Sequence, residues 1–336
     1  MPAVQKQFED FHTAIKLDND DEKAKLREKR KVLIDALSAN LDKEVPSFET
    51  FIQGSYAMHT GVAPLDGNYD IDVGVIFDCN QSMYPDPVVL KRKVRDAVNT
   101  HGRTVLIRRP CVTVNYMRNE EPEYHVDLVL YTKRDDGLLA IGKGRENSVP
   151  AFRFWEPADP KKLTELINAA FTDDKELAQY RRCIRYMKRW RDVQFKNGGA
   201  PLSIALTIAA KQWFKPRFEA SGKPADLLAL LDWVSAVINQ FQGEVTDEGY
   251  HERLKVYLPV TPGGDLMELM TKLQMETFQT KLEALCGALG EAFDEDLPED
   301  ACKVLQKQFG DVFKVPEKPE TAKAAVAPVV STGNSA

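Results

Sequence analysis

The chain has 336 residues, 43% of them hydrophobic, and a net charge of −6. That is enough for one large or two modest cores, and no apolar run approaches the ~20 residues that span a bilayer. The acidic balance argues against a grip on long nucleic acid, which needs a basic face, and the five scattered cysteines, with no Cys-x-x-Cys pair, argue against a disulfide framework or a structural zinc site and fit reduced thiols in a cytoplasm. The start, with Phe8-Glu9-Asp10-Phe11, lacks the basic and apolar regions of a signal peptide. Residues 4–16 place Phe8, Phe11 and Ile15 at helical spacing, and 20–40 read as a long helix with its acids first. Phe48 to Ile52 leads into Gln53-Gly54-Ser55-Tyr56, a small-residue turn opening a short helix over 56–60. A loop of turn formers follows over 61–69.

Asp70-Ile71-Asp72-Val73-Gly74-Val75-Ile76-Phe77 then alternates as a strand should. Side chains at i and i+2 share a face, so Asp70 and Asp72 stand roughly 6–7 Å apart along the strand, with Ile71, Val73, Val75 and Phe77 on the other face. Two adjacent carboxylates repel unless a cation lies between them. Alone, Asp-x-Asp reads as an exposed strand end. The Gly54-Ser55 turn shifts that balance, because Gly54 lets a backbone approach closely and Ser55 offers a hydroxyl to a phosphate. So does a third acid, Asp127, in the strand Tyr124 to Tyr131. If the two strands are neighbours, three carboxylates converge as a two-metal phosphoryl-transfer site requires.

Residues 88–100 read as a helix, 104–107 and 111–117 as strands, and 138–141 as another. From Pro157 the pattern is helical: 173–195, the segment opening at Leu202-Ser203, 226–241, 266–289 and 298–309. In the strongest of these, Tyr180, Cys183, Met187 and Trp190 form one apolar stripe amid arginines and Lys188. From Val315 the Pro- and Ala-rich composition cannot build a core and reads as a flexible tail.

Gly54-Ser55, Asp70-x-Asp72 and a later Asp127 resemble the polymerase β-type nucleotidyltransferase superfamily. The Gln-Gly-Ser-Tyr form resembles oligoadenylate synthases, cyclic GMP-AMP synthase and, above all, the bacterial cGAS/DncV-like nucleotidyltransferases (CD-NTases). The resemblance implies an α+β, two-lobed fold: a mixed-sheet catalytic lobe with a long bracing N-terminal helix (1–155), a helical C-terminal lobe (156–314) and a tail (315–336). It implies two Mg²⁺ ions, replaceable by Mn²⁺, on Asp70, Asp72 and Asp127. It implies phosphate binding by Gly54, Ser55, Lys188 in Ile184-Arg185-Tyr186-Met187-Lys188-Arg189-Trp190, and Ser203. Ser203 also suits a helix start, and Ile204 replaces the aromatic that stacks the base in some relatives, leaving Tyr56 and Tyr257 as weak substitutes. The implied substrates are NTPs, ATP with GTP, CTP or UTP as further candidates. The implied product is a cyclic di- or trinucleotide messenger of anti-phage signalling (CBASS), with a HORMA-like or ubiquitin-transfer-like partner acting on the tail. A linear oligonucleotide or tRNA-end nucleotidyltransferase, an antibiotic-modifying enzyme or toxin, and a non-catalytic nucleotide-binding module are the alternatives.

Overall fold

The structure, a computed structural model, describes residues 3–316 other than 18–19, 66, 68, 101–102, 119–120 and 247–248. The tail expected over 315–336 therefore lies almost wholly outside the described residues. Helix α1 (Gln5–Ile15) buries Phe8, Phe11 and Ile15, its one apolar stripe. Helix α2 (Asp20–Asn40) buries Leu26, Leu33 and Leu37. Strand β1 (Phe48–Ile52) passes through the single turn α3 (Gly54–Ala57) to β2 (Tyr69–Asn80). Helix α4 (Pro87–Val98) starts where Asp86 accepts a hydrogen bond from the Val88 amide at 2.8 Å and Pro87 takes the first turn. Strands β3 (Arg103–Ile107), β4 (Val112–Arg118), β5 (Glu121–Lys133), β6 (Leu139–Lys143) and β7 (Phe154–Ala158) complete the sheet.

The strand order is β1-β2-β5-β4-β3, with β6 paired to the end of β5 and β7 to β6. Among the described strands only β2 and β5 run parallel, and they sit at the centre. The alternation of β2 is sorted as its sequence dictates: Ile71, Val73, Val75 and Phe77 join Leu26, Leu33, Leu90 and Val94 in one core under α2 and α4. The other face is sparser, with Ile76, Cys111, Val129 and Tyr131 packed beside Phe51. Gly74 is required there, since a Cβ at that position would lie 2.1 Å from the Phe51 ring.

After β7 come helices α5 (Pro160–Asn168), α6 (Asp174–Gln194), α7 (Ser203–Trp213) and α8 (Asp226–Ile238), the hairpin β8 (Gln242–Thr246) and β9 (Gly249–Arg253), and helices α9 (Lys272–Asp294) and α10 (Pro298–Phe309). The amide groups opening α6 are satisfied by the Asp173 carboxylate. Tyr180, Ile184, Met187 and Trp190 of α6 are fully or almost fully buried in the helical core. Helix α1 packs into that core, whereas α2 packs onto the sheet, so the bracing expected of one long helix is divided between two. Among the described residues no helix is long and apolar enough to cross a membrane.

Several elements differ from the sequence pattern: the short helix α3 spans 54–57 rather than 56–60, and the hairpin β8–β9 interrupts the helical pattern after Pro157. Strand β7 carries Pro157 and pairs only with β6, an edge position that tolerates a missing donor. Helix α9 begins at Lys272 rather than 266, because Asp265 accepts from the Val256 and Met267 amides and holds a turn there. The Thr271–Gln274 capping box then starts the helix.

Candidate active site

The parallel register of β2 and β5 sets Asp70 opposite His125 and Asp72 opposite Asp127. Each pair is two residues from the next, so all four side chains project from the sheet face opposite α2 and α4. His125 Nε2 lies 3.2 Å from Asp70 Oδ1. One ligand atom each from Asp70, His125 and Asp127 falls within 4.8 Å of the others. Asp70 is the outermost, its side chain 46% exposed against 21% for His125.

The charges are not balanced. Burial, and then the charges of Asp70 and Asp127, push the Asp72 carboxyl up to about 8. Asp127 is also raised, by burial first and then by Asp70, against hydrogen bonds from Thr113 of β4 and Cys111 just before it. Burial works against charge on His125, but the hydrogen bond and charge of Asp70 outweigh it and raise its pKa.

The Gly-Ser turn is fastened onto this cluster. The Gln53 amide donates to the Asp72 carbonyl at 3.1 Å, and Gln53 Oε1 accepts from the Tyr131 hydroxyl at 2.9 Å. Gly54 has φ +69°, and a Cβ on it would fall 1.9 Å from Asp72 Oδ2. Only glycine allows that conformation and that approach together. On the opposite wall, Lys188 of α6 is buried and donates to Thr60 at both its carbonyl (3.1 Å) and its hydroxyl (3.0 Å). Burial, then Arg191 and Arg185, lowers its pKa to about 7. Ser203 is the first residue of α7. Ser55, Tyr69, Asp70, Lys188, Arg191 and Ser203 line one cleft of about 230 Å³.

The cluster fits a divalent cation. Asp127 Oδ1 is buried with no hydrogen-bond partner among the described residues, and such an atom is costly unless something positive meets it. Carboxylate oxygens suit Mg²⁺ or Mn²⁺.

Two family sequence models match the chain. Residues 48–131 match the family described as "Cyclic GMP-AMP synthase DncV-like, nucleotidyltransferase domain", and residues 178–318 match "Cyclic GMP-AMP synthase, C-terminal domain", together more than half of the chain. The chain belongs to the bacterial cGAS/DncV-like nucleotidyltransferases. A cyclic GMP-AMP synthase of Escherichia albertii is 28% identical over 177 residues, 49% of this chain but only 37% of that protein. The match therefore spans well under two thirds of the relative. The fold is similar to that of the Bradyrhizobium diazoefficiens CD-NTase CdnG in complex with GTP (TM-score 0.69, 18% identity, 93% of this chain and 96% of that one). It is also similar to that of Vibrio cholerae DncV cyclic AMP-GMP synthase (TM-score 0.60, 20% identity, 80% and 70%).

In this CD-NTase, Ser55, Asp70, Lys188 and Ser203 come from distant parts of the chain to one cleft. Gly54 and Asp72 meet beside it, and Asp127 lies next to Asp72 across the strand pair. His125, Thr60, Tyr69 and Arg191 also belong to the surroundings and went unassigned in the sequence. The signal for His125 was present: it stands two residues before Asp127 on one strand. Tyr69 lines the cleft and stacks on Tyr124, their rings 5.6 Å apart. Tyr56 lines a neighbouring cavity instead, and Tyr257 a separate hollow beside Gln212 and Trp213. Arg108 and Arg109 present their carbonyls to the buried Lys91 amine at 3.1 and 2.7 Å, which gives their backbone a structural role.

Proposed function

We propose that this protein is a Mg²⁺-dependent nucleotidyltransferase that joins NTPs into a cyclic di- or trinucleotide messenger, acting in the cytoplasm in CBASS anti-phage signalling. One observation carries the reading: three carboxylates converge beside a cleft that also holds Ser55, Lys188 and Ser203. Family membership supports nucleotidyl transfer, and the GTP in the CdnG complex supports an NTP substrate.

Asp70, Asp72 and Asp127 would hold two Mg²⁺ ions, with Mn²⁺ as a substitute. Bound there, the ions would neutralise the developing phosphoryl charge and acidify the attacking hydroxyl. Asp127, through its unpartnered Oδ1, accepts the proton of the ribose hydroxyl or holds the ion beside it. The Gly54 backbone and the Ser55 hydroxyl take the donor phosphates on one wall, and Lys188 and Ser203 take them on the other. Lys188 is suited to this, because its burial penalty falls once an anion sits against its amine. His125 keeps Asp70 oriented through the 3.2 Å contact. The sheet lobe (1–155, apart from α1, which packs into the helical core) and the helical lobe (156–314) would form the two sides of the cleft. The tail from 315 is the proposed handle for a HORMA-like or ubiquitin-transfer-like regulator.

The test uses the purified protein, four radiolabelled NTPs and Mg²⁺, with phosphatase treatment before separation. A phosphatase-resistant product that disappears in Asp70→Asn/Asp72→Asn supports the reading, and omitting each NTP in turn names the bases. Only phosphatase-sensitive linear products would overturn the cyclisation step. Unchanged NTP consumption in the double variant would overturn the assignment of the carboxylates.

A further inference from the structure

Beside the catalytic cleft lies a second and larger cavity, of about 430 Å³. It shares Leu17 and Ser55 with the cleft, but its other walls differ. Arg27 comes from α2, Tyr56 from α3, and Arg181, Arg182 and Arg185 from successive turns of α6. No carboxylate is among the described residues that line it. Arg182 is neutralised from behind by the fully buried Asp226, which it meets with both arms of its fork at 2.7 and 2.8 Å. Arg185 meets only carbonyls and an imidazole: Gly61 O at 3.1 Å, His59 O at 2.6 Å and His12 Nε2 at 3.1 Å. A guanidinium can only donate, so His12 Nε2 must be the acceptor and the ring neutral. Arg181 donates to the neutral Asn168 at 2.9 Å, and its Nε is buried with no partner among the described residues.

Arg181 and Arg185 therefore bring to the cavity guanidinium groups whose hydrogen bonds end on neutral groups. Their mutual repulsion is visible at Arg185, whose pKa is lowered to about 10 by burial first and then by Arg181. The backbone also contributes. His59 is the one non-glycine residue at positive φ (+55°) among those described, and its carbonyl is one of the two that Arg185 grips.

We propose that this cavity is a second anion site, distinct from the catalytic cleft, that takes a di- or triphosphate group. Two features favour a phosphate chain over a single carboxylate. Arg27, Arg181 and Arg185 present more positive charge than one carboxylate can match, and guanidinium forks suit phosphate oxygens. The volume exceeds what one phosphate fills and lies in the range of small-ligand pockets. A ligand there would touch Ser55 and α6, the two elements that also carry the catalytic phosphate contacts, so occupancy would bear on turnover. The proposal stands whether or not the neighbouring cleft transfers nucleotides.

The test is calorimetric titration with sodium pyrophosphate in EDTA, on the full chain, in wild type, Lys188→Gln, Arg27→Glu and Arg27→Gln/Arg181→Gln. Arg27 is exposed, so its charge reversal leaves packing intact and guards against a misfolded double variant. Binding that persists in Lys188→Gln, weakens at least tenfold in Arg27→Glu and is lost in the double variant supports the site. Binding that is unaffected by Arg27→Glu, or lost in Lys188→Gln, places pyrophosphate in the catalytic cleft and overturns the proposal. No binding to wild type overturns it too. ADP, AMP and orthophosphate then separate the sources. ADP binding more tightly than pyrophosphate identifies a nucleotide tail, and equal affinity identifies the free phosphate chain. AMP or orthophosphate binding as well as pyrophosphate overturns the assignment to a phosphate chain.

Discussion

The carboxylate cluster should make the metal-free protein lose stability as pH rises. The Asp72 carboxyl is pushed up to about 8 from an ordinary 3.8, by burial and then by Asp70 and Asp127. Below pH 3.8 it is protonated both folded and unfolded, and costs nothing. Between 3.8 and 8 the unfolded chain releases the proton and the folded protein keeps it, so stability falls by up to about 1.4 kcal/mol per pH unit. Above 8 the penalty is constant. Across the whole window it is on the order of 3–5 kcal/mol, since the neighbouring carboxylates share part of the effect. Asp72→Asn removes the titrating group. In EDTA, its urea-unfolding free energy should exceed that of wild type by a margin that grows from pH 5 to pH 8. Saturating Mg²⁺ should reverse the order, because only wild type supplies the full ligand set, and its binding at pH 7 should release close to one proton in unbuffered solution. Parallel pH profiles for the two proteins in EDTA would refute the reasoning.

Three further outcomes are expected. Asp127→Asn should lower NTP consumption more than about a hundredfold, beyond the cost of an outer-shell change around a metal, with circular dichroism unchanged; near-normal turnover would exclude Asp127 from the site. Lys188→Met should raise KM for NTP at least about tenfold. In wild type, Mg²⁺-free NTP affinity should decline as pH rises above about 7, because the Lys188 amine loses its proton there and the phosphates favour the charged form; a flat profile between pH 7 and 9 would count against this role. Gly54→Ala forces a Cβ into Asp72 Oδ2 and a non-glycine residue to φ +69°. It should cost about 1–2 kcal/mol and abolish turnover together, and wild-type activity in that variant would contradict the close approach.

Much of this arrangement was legible because strand chemistry is local. The two-residue period of β2 assigned Ile71, Val73, Val75 and Phe77 to the core and Asp70 and Asp72 to the open face, and both sets lie there. What could not be read is register, a property of two strands rather than one. Asp127 could be linked to Asp70 and Asp72 only on the condition that the two strands are neighbours, until β5 was seen to run parallel to β2. The same register then puts His125 against Asp70, a pairing that no single stretch of sequence announces.

The basic run of α6 was illegible for a different reason. Arg181, Arg182 and Arg185 look alike in sequence, and Lys188 was set apart from them only by resemblance. Their fates are decided by what other segments bring to each turn. Asp226, forty-four residues on, neutralises Arg182. The Thr60 carbonyl and hydroxyl hold Lys188. His59 and Gly61 offer Arg185 only neutral oxygens. Breaking the buried Arg182–Asp226 pair would strand a charge in the helical core, where Gln179 and Tyr186 also bond the carboxylate, at 3.0 Å each. The Arg182 side chain is committed to the fold. Lys188, Arg181 and Arg185 carry charge that no carboxylate hydrogen-bond partner offsets among the described residues, and these side chains line the two cavities.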